Sequence, residues 1–226
     1  MAGCQDAGYL KKNTAVAAVE HPGNVKKWNT IIIKNKKFYN IYNMAIIKSI
    51  QGKERDNGKL FTPKMGKGCF LADNAAVIGD VTMGDECSIW YGAVLRGDVN
   101  TIKLGNRVNI QDNSTIHTLY EKSVTVIGND VSVGHNVVIH GATIHDMALI
   151  GMGSVILDNA EIGEGAIVAA GSVVLGGTKV GAHELWAGAP AKFKKKVDPA
   201  QAREMNIKIA KNYLMYSTWY PRDDEK

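Results

Sequence analysis

The stretch "VIHGATIHDMALIGMGSVILDNAEIGEGAIVAAGSVVLGGTKV", residues 138–180, carries a branched aliphatic residue at every sixth position. Neither an α-helix, which repeats about every 3.6 residues, nor an alternating strand gives a period of six. A chain that makes a short strand and a turn every six residues does. The aliphatic series is Val138, Ile144, Ile150, Ile156, Ile162, Val168, Val174 and Val180, and the small residues two positions earlier are Ala142, Ala148, Ser154, Ala160, Ala166, Ser172 and Thr178.

The same period is present upstream. Three units of six make one triangular coil of about 18 residues, and successive coils stack at the strand spacing of about 4.8 Å. We therefore predict an all-β fold, a parallel β-helix of hexapeptide repeats over residues 67–187, with the aliphatic series pointing inward. The upstream members of the series are Leu71, Val77, Met83, Ile89, Leu95, Leu104, Ile110 and Ile116.

Residues 188–226 follow as a linker and a C-terminal α-helix. The helix is predicted over residues 199–220, because Asp198 is a suitable N-cap and Pro199 a good first helical residue. We expect it to lie along the β-helix through a partly apolar face. That face contains Met205, Ile209, Asn212, Leu214 and Tyr216.

The basic character of the chain belongs to an N-terminal extension, residues 1–66. This segment has 12 Lys and Arg against 4 Asp and Glu, whereas the remainder has 15 against 18. No stretch reaches the roughly 18 to 20 apolar residues of a membrane span. Residues 28–50 are rich in Lys, Ile and aromatics, which allows either an amphipathic surface helix or a solvated targeting or docking arm. No aromatic-interleaved or Arg-rich motif supports nucleic acid as a partner.

The three cysteines are Cys4, Cys69 and Cys87. An odd number without paired spacing argues against a disulfide framework and against a cysteine-based zinc site. Their number and spacing indicate a reducing compartment.

Three histidines in the repeat region stand where they could meet a metal ion. His117 and His140 each follow an isoleucine, so both imidazoles should project outward from neighbouring coils, while His135 follows a glycine and has a different phase. Within one chain His135 should lie at another edge of the triangle, but in a trimer it could approach a neighbour's His117 and His140. Three imidazoles plus an open position suit a catalytic zinc. A single outward histidine acting as the general base of an acyltransferase is the alternative.

Two segments add a family resemblance. "IWYGAVLRGDVNTIKLGNRVNIQDNSTIHT" (89–118) and "IGNDVSVGHNVVIHG" (127–141) resemble the gamma-class carbonic anhydrases, and the likeness extends over residues 62–220. The resemblance implies a left-handed β-helix trimer that hydrates CO₂ to bicarbonate with Zn²⁺, or alternatively Fe²⁺ or Co²⁺, at each subunit interface. His117 and His140 would come from one chain and His135 from its neighbour.

The same resemblance assigns further roles. Arg96 and Asp98 match the family's "RGD" pair and would bridge subunits. Gln111 and Asp112 match "QD"; Gln111 would position water or bicarbonate, and Asp112 would order nearby donors. Tyr213 matches a family tyrosine at the site.

One feature of the family is missing. Members often carry an acid directly after "RGD" and another in the loop after the first histidine, whereas this chain has Val99 and Tyr120, with Glu121 the nearest acid. The resemblance therefore does not extend to the acids that export the proton.

The likeness also has implications for location and partners. Details such as "RGDVNTI" resemble the gamma-carbonic-anhydrase-like subunits of mitochondrial respiratory complex I. That likeness implies a homo- or heterotrimer on the matrix side of the inner membrane, docked through the N-terminal arm. A cytoplasmic enzyme and a catalytically weak structural subunit are the alternatives.

Overall fold

The computed structural model describes residues 14–17, 31–34, 45–52 and 56–220 of the 226-residue chain. The chain divides into two compact units, Met1–Ile41 and Tyr42–Lys226. The elements are β1 (Thr14–Ala17), β2 (Ile31–Lys34), β3 (Ile46–Lys48), β4 (Ile50–Gln51), a 3-10 turn (Asp56–Gly58), β5 (Leu60–Phe61), β6 (Lys64–Met65), β7 (Phe70–Leu71), β8 (Ala76–Met83), β9 (Ser88–Ile89), β10 (Val94–Leu104), β11 (Asn109–Ile110), β12 (Thr115–His117), β13 (Thr125–Ile127), β14 (Ser132–Val133), β15 (Val138–His140), β16 (Thr143–Ile144), β17 (Leu149–Ile150), β18 (Val155–Ile156), β19 (Glu161–Ile162), β20 (Ile167–Val168), β21 (Val173–Val174), β22 (Lys179–Val180), β23 (Glu184–Ala187), β24 (Lys192–Lys196) and α1 (Pro199–Ser217).

In the first unit, β1 and β2 pair antiparallel, with Thr14 opposite Lys34. The segment 28–50, for which an amphipathic helix was one prediction, contains the strands β2 and β3. The helix prediction is wrong over those strands, and residues 28–30 and 35–44 lie outside the described part of the chain.

The second unit is the predicted parallel β-helix, and it has three faces. Face A contains β3, β12, β15, β18, β21 and the first halves of β8 and β10. Face B contains β6, β13, β16, β19, β22 and the second halves of β8 and β10. Face C contains β7, β9, β11, β14, β17, β20 and β23, with β24 antiparallel on the last. Parallel pairing already begins at β3 and β6, within residues 1–66.

The core is a column of branched aliphatic side chains inside the three faces. Each is almost completely buried, and burying one such side chain stabilises the fold by about 1.5–3 kcal/mol. The fully enclosed members include Ile89, Leu95, Ile102, Ile110, Ile116, Ile127, Ile139, Ile144, Ile150, Ile156 and Ile162.

Val138 is the exception to the predicted inward series. It is 38% exposed, and its neighbour Ile139 points inward in its place. The cause is a shorter coil: Val138 pairs with Val155, 17 positions along, instead of the usual 18. The lost residue shifts the phase of β15 by one, which turns Val138 to the outside of face A.

All the variation in coil length lies at the corner where face A turns into face B, which we name corner A/B. Val94 begins face A of its coil and Ile102 begins face B, and more residues lie between them than between the corresponding Ala76 and Val81 of the preceding coil. The corresponding segment of the next coil, from Thr115 to Thr125, is longer still. The other two turns keep the regular spacing. A bulge within β10 at residues 98–101, called the loop 98–101 below, and a loop at residues 118–124 therefore lie at the same corner.

The C-terminal helix begins as predicted and ends at Ser217. Asp198 caps it by accepting a hydrogen bond from the Gln201 backbone N at 2.9 Å. The predicted apolar face is correct in part: Met205 is 40% exposed, whereas Tyr216 packs against the core and Ile209, Asn212 and Leu214 are half-buried. The helix contacts β9, β11 and β14 on face C through small or polar buried residues, which allow a close approach. These are Ala202, Asn206, Ala210 and Ser217.

Among the described residues, no helix has the length and apolar character needed to cross a membrane.

Candidate metal centre

His117 and His140 lie side by side at corner A/B. They are the last residues of β12 and β15, and they are register partners in the parallel ladder. The His117 Nδ1 and His140 Nε2 atoms are 3.2 Å apart. Both rings follow an inward isoleucine, so the strand alternation directs them outward as predicted. The sequence thus placed these two side chains correctly relative to each other.

A carboxylate holds His117 from the loop 98–101. The His117 Nε2 atom is 3.0 Å from Asp98 Oδ1, and Arg96 Nη1 donates to Asp98 Oδ2 at 2.5 Å. Burial raises the pKa of Asp98, but the hydrogen bonds from Arg96 and His117 outweigh it, so the pKa lies below its usual range. Asp98 is therefore an ionised acceptor, and Arg96 and Asp98 pair within this chain.

A second carboxylate, Asp158, holds His140. The His140 Nδ1 atom is 3.0 Å from both oxygens of Asp158, and Ser123 Oγ donates to the same carboxylate at 2.5 Å. Burial raises the pKa of Asp158, yet the bonds from Ser123 and His140 lower it overall. Gly141 has φ +62°, and a Cβ there would collide with Ser123 and Asp158.

Sequence reasoning missed Asp158 and Ser123. Asp158 lies in the coil after His140, one position beyond the register partner of that histidine. The repeat spacing could have indicated Asp158. Ser123 belongs to an inserted loop whose path no periodicity reveals.

His135 lies at the opposite edge of face A, at the corner where face C turns into face A, which we name corner C/A. Its Nδ1 atom is 2.8 Å from Asp112 Oδ2, and its Nε2 atom is 3.5 Å from the hydroxyl of Tyr213 on α1. Burial raises the pKa of Tyr213, and the charge of Asp112 adds to the rise, so the hydroxyl stays protonated at neutral pH. The structure brings Asp112, His135 and Tyr213 together.

Gln111 lies next to this group but is 5% exposed. Its side-chain nitrogen donates to Asn109 Oδ1 at 3.0 Å, and Asn109 in turn donates to Ser132 at 2.7 Å. These bonds fix the amide of Gln111, which is predicted to position water or bicarbonate.

The two departures from the family pattern lie in the loops of corner A/B. Val99 is half-buried in the loop 98–101. Tyr120 and Glu121 are exposed in the loop 118–124.

The predicted site residues thus form two groups on one chain. His135 lies in the turn before β15, five positions before His140 at the end of that strand, so the two residues are at most about 16 Å apart at roughly 3.3 Å per residue. Within residues 45–52 and 56–220, and the two short strands before them, no group of three or more His, Cys, Asp or Glu side chains could hold a metal ion.

The donor set nevertheless fits zinc. Each histidine has a carboxylate on one ring nitrogen, an arrangement that would hold a proton there and direct the other nitrogen to a metal. For His117 and His140 these other nitrogens are 3.2 Å apart. Two nitrogens bound to one tetrahedral zinc at about 2.0–2.1 Å are about 3.3 Å apart. A cation between the rings would satisfy both.

Comparison with known proteins identifies the class. The family model described as bacterial transferase hexapeptide (six repeats) matches residues 62–97 and 141–176. A carbonic anhydrase of Geobacillus kaustophilus is 46% identical over 159 residues, which cover 70% of this chain and 86% of that protein. The structure of a hexapeptide transferase family protein from Anaplasma phagocytophilum has a TM-score of 0.67 at 42% identity, covering 73% of this chain and 95% of that one.

Relatives from a plant are similar as well. "Gamma carbonic anhydrase 2, mitochondrial" of Arabidopsis thaliana is 43% identical over 170 residues, which cover 73% of this chain. The matched region spans 61% of the length of that relative. This chain belongs to the gamma-class carbonic anhydrase family of hexapeptide-repeat proteins.

Proposed function

We propose that this protein is a gamma-type carbonic anhydrase that hydrates CO₂ to bicarbonate at zinc ions shared between the subunits of a trimer. The observation that supports this most strongly is the placement of three carboxylate-backed histidines on the two edges of one face. His117 and His140 occupy corner A/B, and His135 occupies corner C/A. A neighbouring chain packed on face A supplies the missing ligand.

The outer surface of face A is suited to such packing. Its central row runs Val94, Thr115, Val138, Val155 and Val173, which are register partners in successive coils. The corresponding row on face B is Lys103, Val126, Thr143, Glu161 and Lys179. On face C, α1 packs on β9, β11 and β14. Face A is an apolar side that one described chain leaves open, as expected of an interface between subunits.

The residues around the histidines would hold and serve the metal. Zinc, when bound, supplies Lewis-acid activation of water near neutral pH, and Fe²⁺ or Co²⁺ could supply the same chemistry. Asp98, Asp112 and Asp158 fix the proton on one nitrogen of each imidazole and so keep the other nitrogen available. Arg96 keeps Asp98 ionised.

Gln111 and Tyr213 would orient the reactants. The Gln111 amide is immobilised by Asn109, so one polar group is held at a fixed position beside His135. The Tyr213 hydroxyl stays a hydrogen-bond donor at neutral pH, because burial raises its pKa. Val99 and Tyr120 occupy positions where the family often has acids, and neither side chain can carry a proton away from the site near pH 7. We therefore expect CO₂ hydration to turn over slowly.

We also propose that the trimer, of identical or related chains, is a mitochondrial subunit assembly docked on respiratory complex I through residues 1–66. The mitochondrial relatives and the basic charge of that segment support this location. If catalysis is weak, the structural role dominates. A hexapeptide acyltransferase is disfavoured because it leaves the His117, His135 and His140 set without a purpose.

Oxygen-isotope exchange between CO₂ and water tests the proposal on the purified full chain. We expect exchange above the buffer rate and zinc bound to the protein. The His135→Ala variant should lose both while its thermal unfolding midpoint stays nearly unchanged, because the side chain points outward. Zinc binding without exchange would favour the structural role. A His135→Ala variant that keeps zinc and exchange would contradict the shared site.

A further inference from the structure

Cys69 and Cys87 stand one above the other at the first complete coil of the β-helix. Phe70 and Ser88 are register partners, and the Phe70 backbone N donates to the Cys87 carbonyl at 2.8 Å. The preceding residues, Cys69 and Cys87, therefore occupy the same position in successive coils. Neighbouring parallel strands are about 4.8 Å apart. A disulfide requires a Cα separation of about 4.4–6.8 Å, which this spacing meets, and a Cβ separation of about 3.5–4.5 Å, which a small approach of the two side chains would give.

The two thiols differ in exposure. β7 is the end strand of face C among the described residues, so Cys69 is only half-buried, while Cys87 is 1% exposed. The Cys69 Sγ atom donates to the Gly84 carbonyl at 3.2 Å, and the Cys87 Sγ atom donates to the Gly105 carbonyl at 3.1 Å. Interaction with the neighbouring Cys87 thiol lowers the pKa of Cys69 to about 7, although burial opposes the change. Interaction with Cys69 and burial raise the pKa of Cys87. Cys69 is thus partly ionised at neutral pH beside a protonated partner.

The packing of the core does not require sulfur at these positions. The same corner in the following coils is occupied by hydrocarbon side chains, in a column connected by backbone hydrogen bonds from one coil to the next. The column consists of Cys69, Cys87, Val108, Val131, Ala148 and Ala166. Alanine or valine therefore fits this position, so packing alone does not explain why two successive coils both carry cysteine there.

We propose that Cys69 and Cys87 form a redox-active dithiol, which a low-molecular-weight disulfide oxidises to an intramolecular disulfide. This disulfide would cross-link the first two coils. The structure shows the pair in its reduced form. This function is independent of the metal centre.

The reaction proceeds by two thiol–disulfide exchanges. The Cys69 thiolate attacks one sulfur of oxidised glutathione, forms a mixed disulfide and releases one glutathione thiolate. Cys87 then gives up its proton and attacks the Sγ of Cys69, which breaks the mixed disulfide and releases the second glutathione thiolate. The protein loses two electrons and two protons, and one oxidised glutathione becomes two reduced molecules. Excess reduced glutathione reverses both steps.

The test uses the full chain carrying Cys4→Ser, so that two of its three cysteines remain. The folded protein is equilibrated with mixtures of reduced and oxidised glutathione, quenched with acid, and analysed by mass spectrometry after thiol labelling. We expect both thiols to disappear together without a glutathione adduct. In the same background, Cys87→Ala should accumulate a glutathione adduct on Cys69, because the resolving thiol is missing. Cys69→Ala should stay unmodified, because Cys87 is buried.

Two results would overturn the proposal. One is a protein that keeps both thiols at every glutathione ratio while folded. The other is a Cys69→Ala variant that acquires the adduct as fast as Cys87→Ala. Cys87→Val, which copies Val108 in the next coil, replaces Cys87→Ala if that variant fails to fold. As a second measurement, oxidation should raise the thermal midpoint of the parent by several degrees and leave Cys69→Ala unchanged.

Discussion

At the scale of single residues, the candidate metal centre depends on three carboxylate–imidazole pairs. Asp98, Asp112 and Asp158 each bind one ring nitrogen of a different histidine at 2.8–3.0 Å. His145 also pairs with a carboxylate, Glu161 at 3.0 Å, but it is exposed on face B. The pairing alone therefore does not identify a candidate ligand; the position of the paired imidazoles at the two edges of face A does.

Asp158→Asn tests this arrangement. The substitution keeps the size of the side chain but removes the charge that orients His140, so we expect zinc affinity to fall about 10-fold or more. Competition with a chromogenic chelator measures the change. Asp130→Asn is the control, since Asp130 pairs with Arg107 away from the histidines. Equal zinc affinity in Asp158→Asn and the unsubstituted protein would contradict a supporting role for Asp158.

At the scale of elements, the hexapeptide period predicted the β-helix because every coil repeats the same requirement for an inward aliphatic residue. It predicted the wrong orientation for Val138, since one shortened turn shifts the phase of β15. The cap located the helix α1, but the sequence predicted its buried face only in part, because the fully buried positions are small or polar residues such as Ala202 and Asn206, while Tyr216 of the predicted face packs against the core. The hexapeptide period does not predict the paths of the inserted loops 98–101 and 118–124, which carry Asp98 and Ser123.

The hairpin β23–β24 supplies a prediction about pH. Glu184 accepts hydrogen bonds from Lys196, Trp186 and the Gly181 backbone N, and these bonds lower its pKa. A lowered pKa means that the stabilisation is present at neutral pH and is lost as the pH falls through that pKa. Glu184→Gln should therefore lower stability at pH 7 by about 1 kcal/mol or less, given the exposed Lys196.

Thermal unfolding at a series of pH values measures this effect. The difference between Glu184→Gln and the unsubstituted protein should shrink as the pH falls below the usual pKa of glutamate and through the lowered pKa of Glu184, where the carboxyl becomes protonated. Glu204→Gln, an exposed position on α1, should show no such dependence. A Glu184→Gln difference that stays constant down to low pH would show that the ion pair is not its cause.

At the scale of the whole molecule, the three faces of the β-helix differ. On face C, α1 packs on β9, β11 and β14; face B presents charged side chains; and face A presents valines with candidate ligands at both of its edges. A cyclic trimer would bury face A and bring the edges of neighbouring chains together. The sequence predicted that His135 lies apart from His117 and His140. The arrangement of the strands into three faces shows that both groups border the same surface, face A.

A charge on face A should therefore prevent assembly. We expect Val155→Glu to convert trimers into monomers in sedimentation velocity, because a carboxylate would be buried without a partner. Val126→Glu is the matched control, since Val126 occupies the equivalent outward position on face B. Assembly lost equally in both variants, or in neither, would show that face A is not the interface.

The most direct test of the shared metal centre is zinc binding by mixed trimers of His117→Ala and His135→Ala chains, co-expressed with different tags and purified through both. Neither variant alone should bind zinc. Every mixed trimer should bind zinc at a single site, because a ring of three has one interface where an intact His117 and His140 pair meets an intact His135. Mixed trimers without zinc, or either variant alone retaining it, would contradict a site built from two chains.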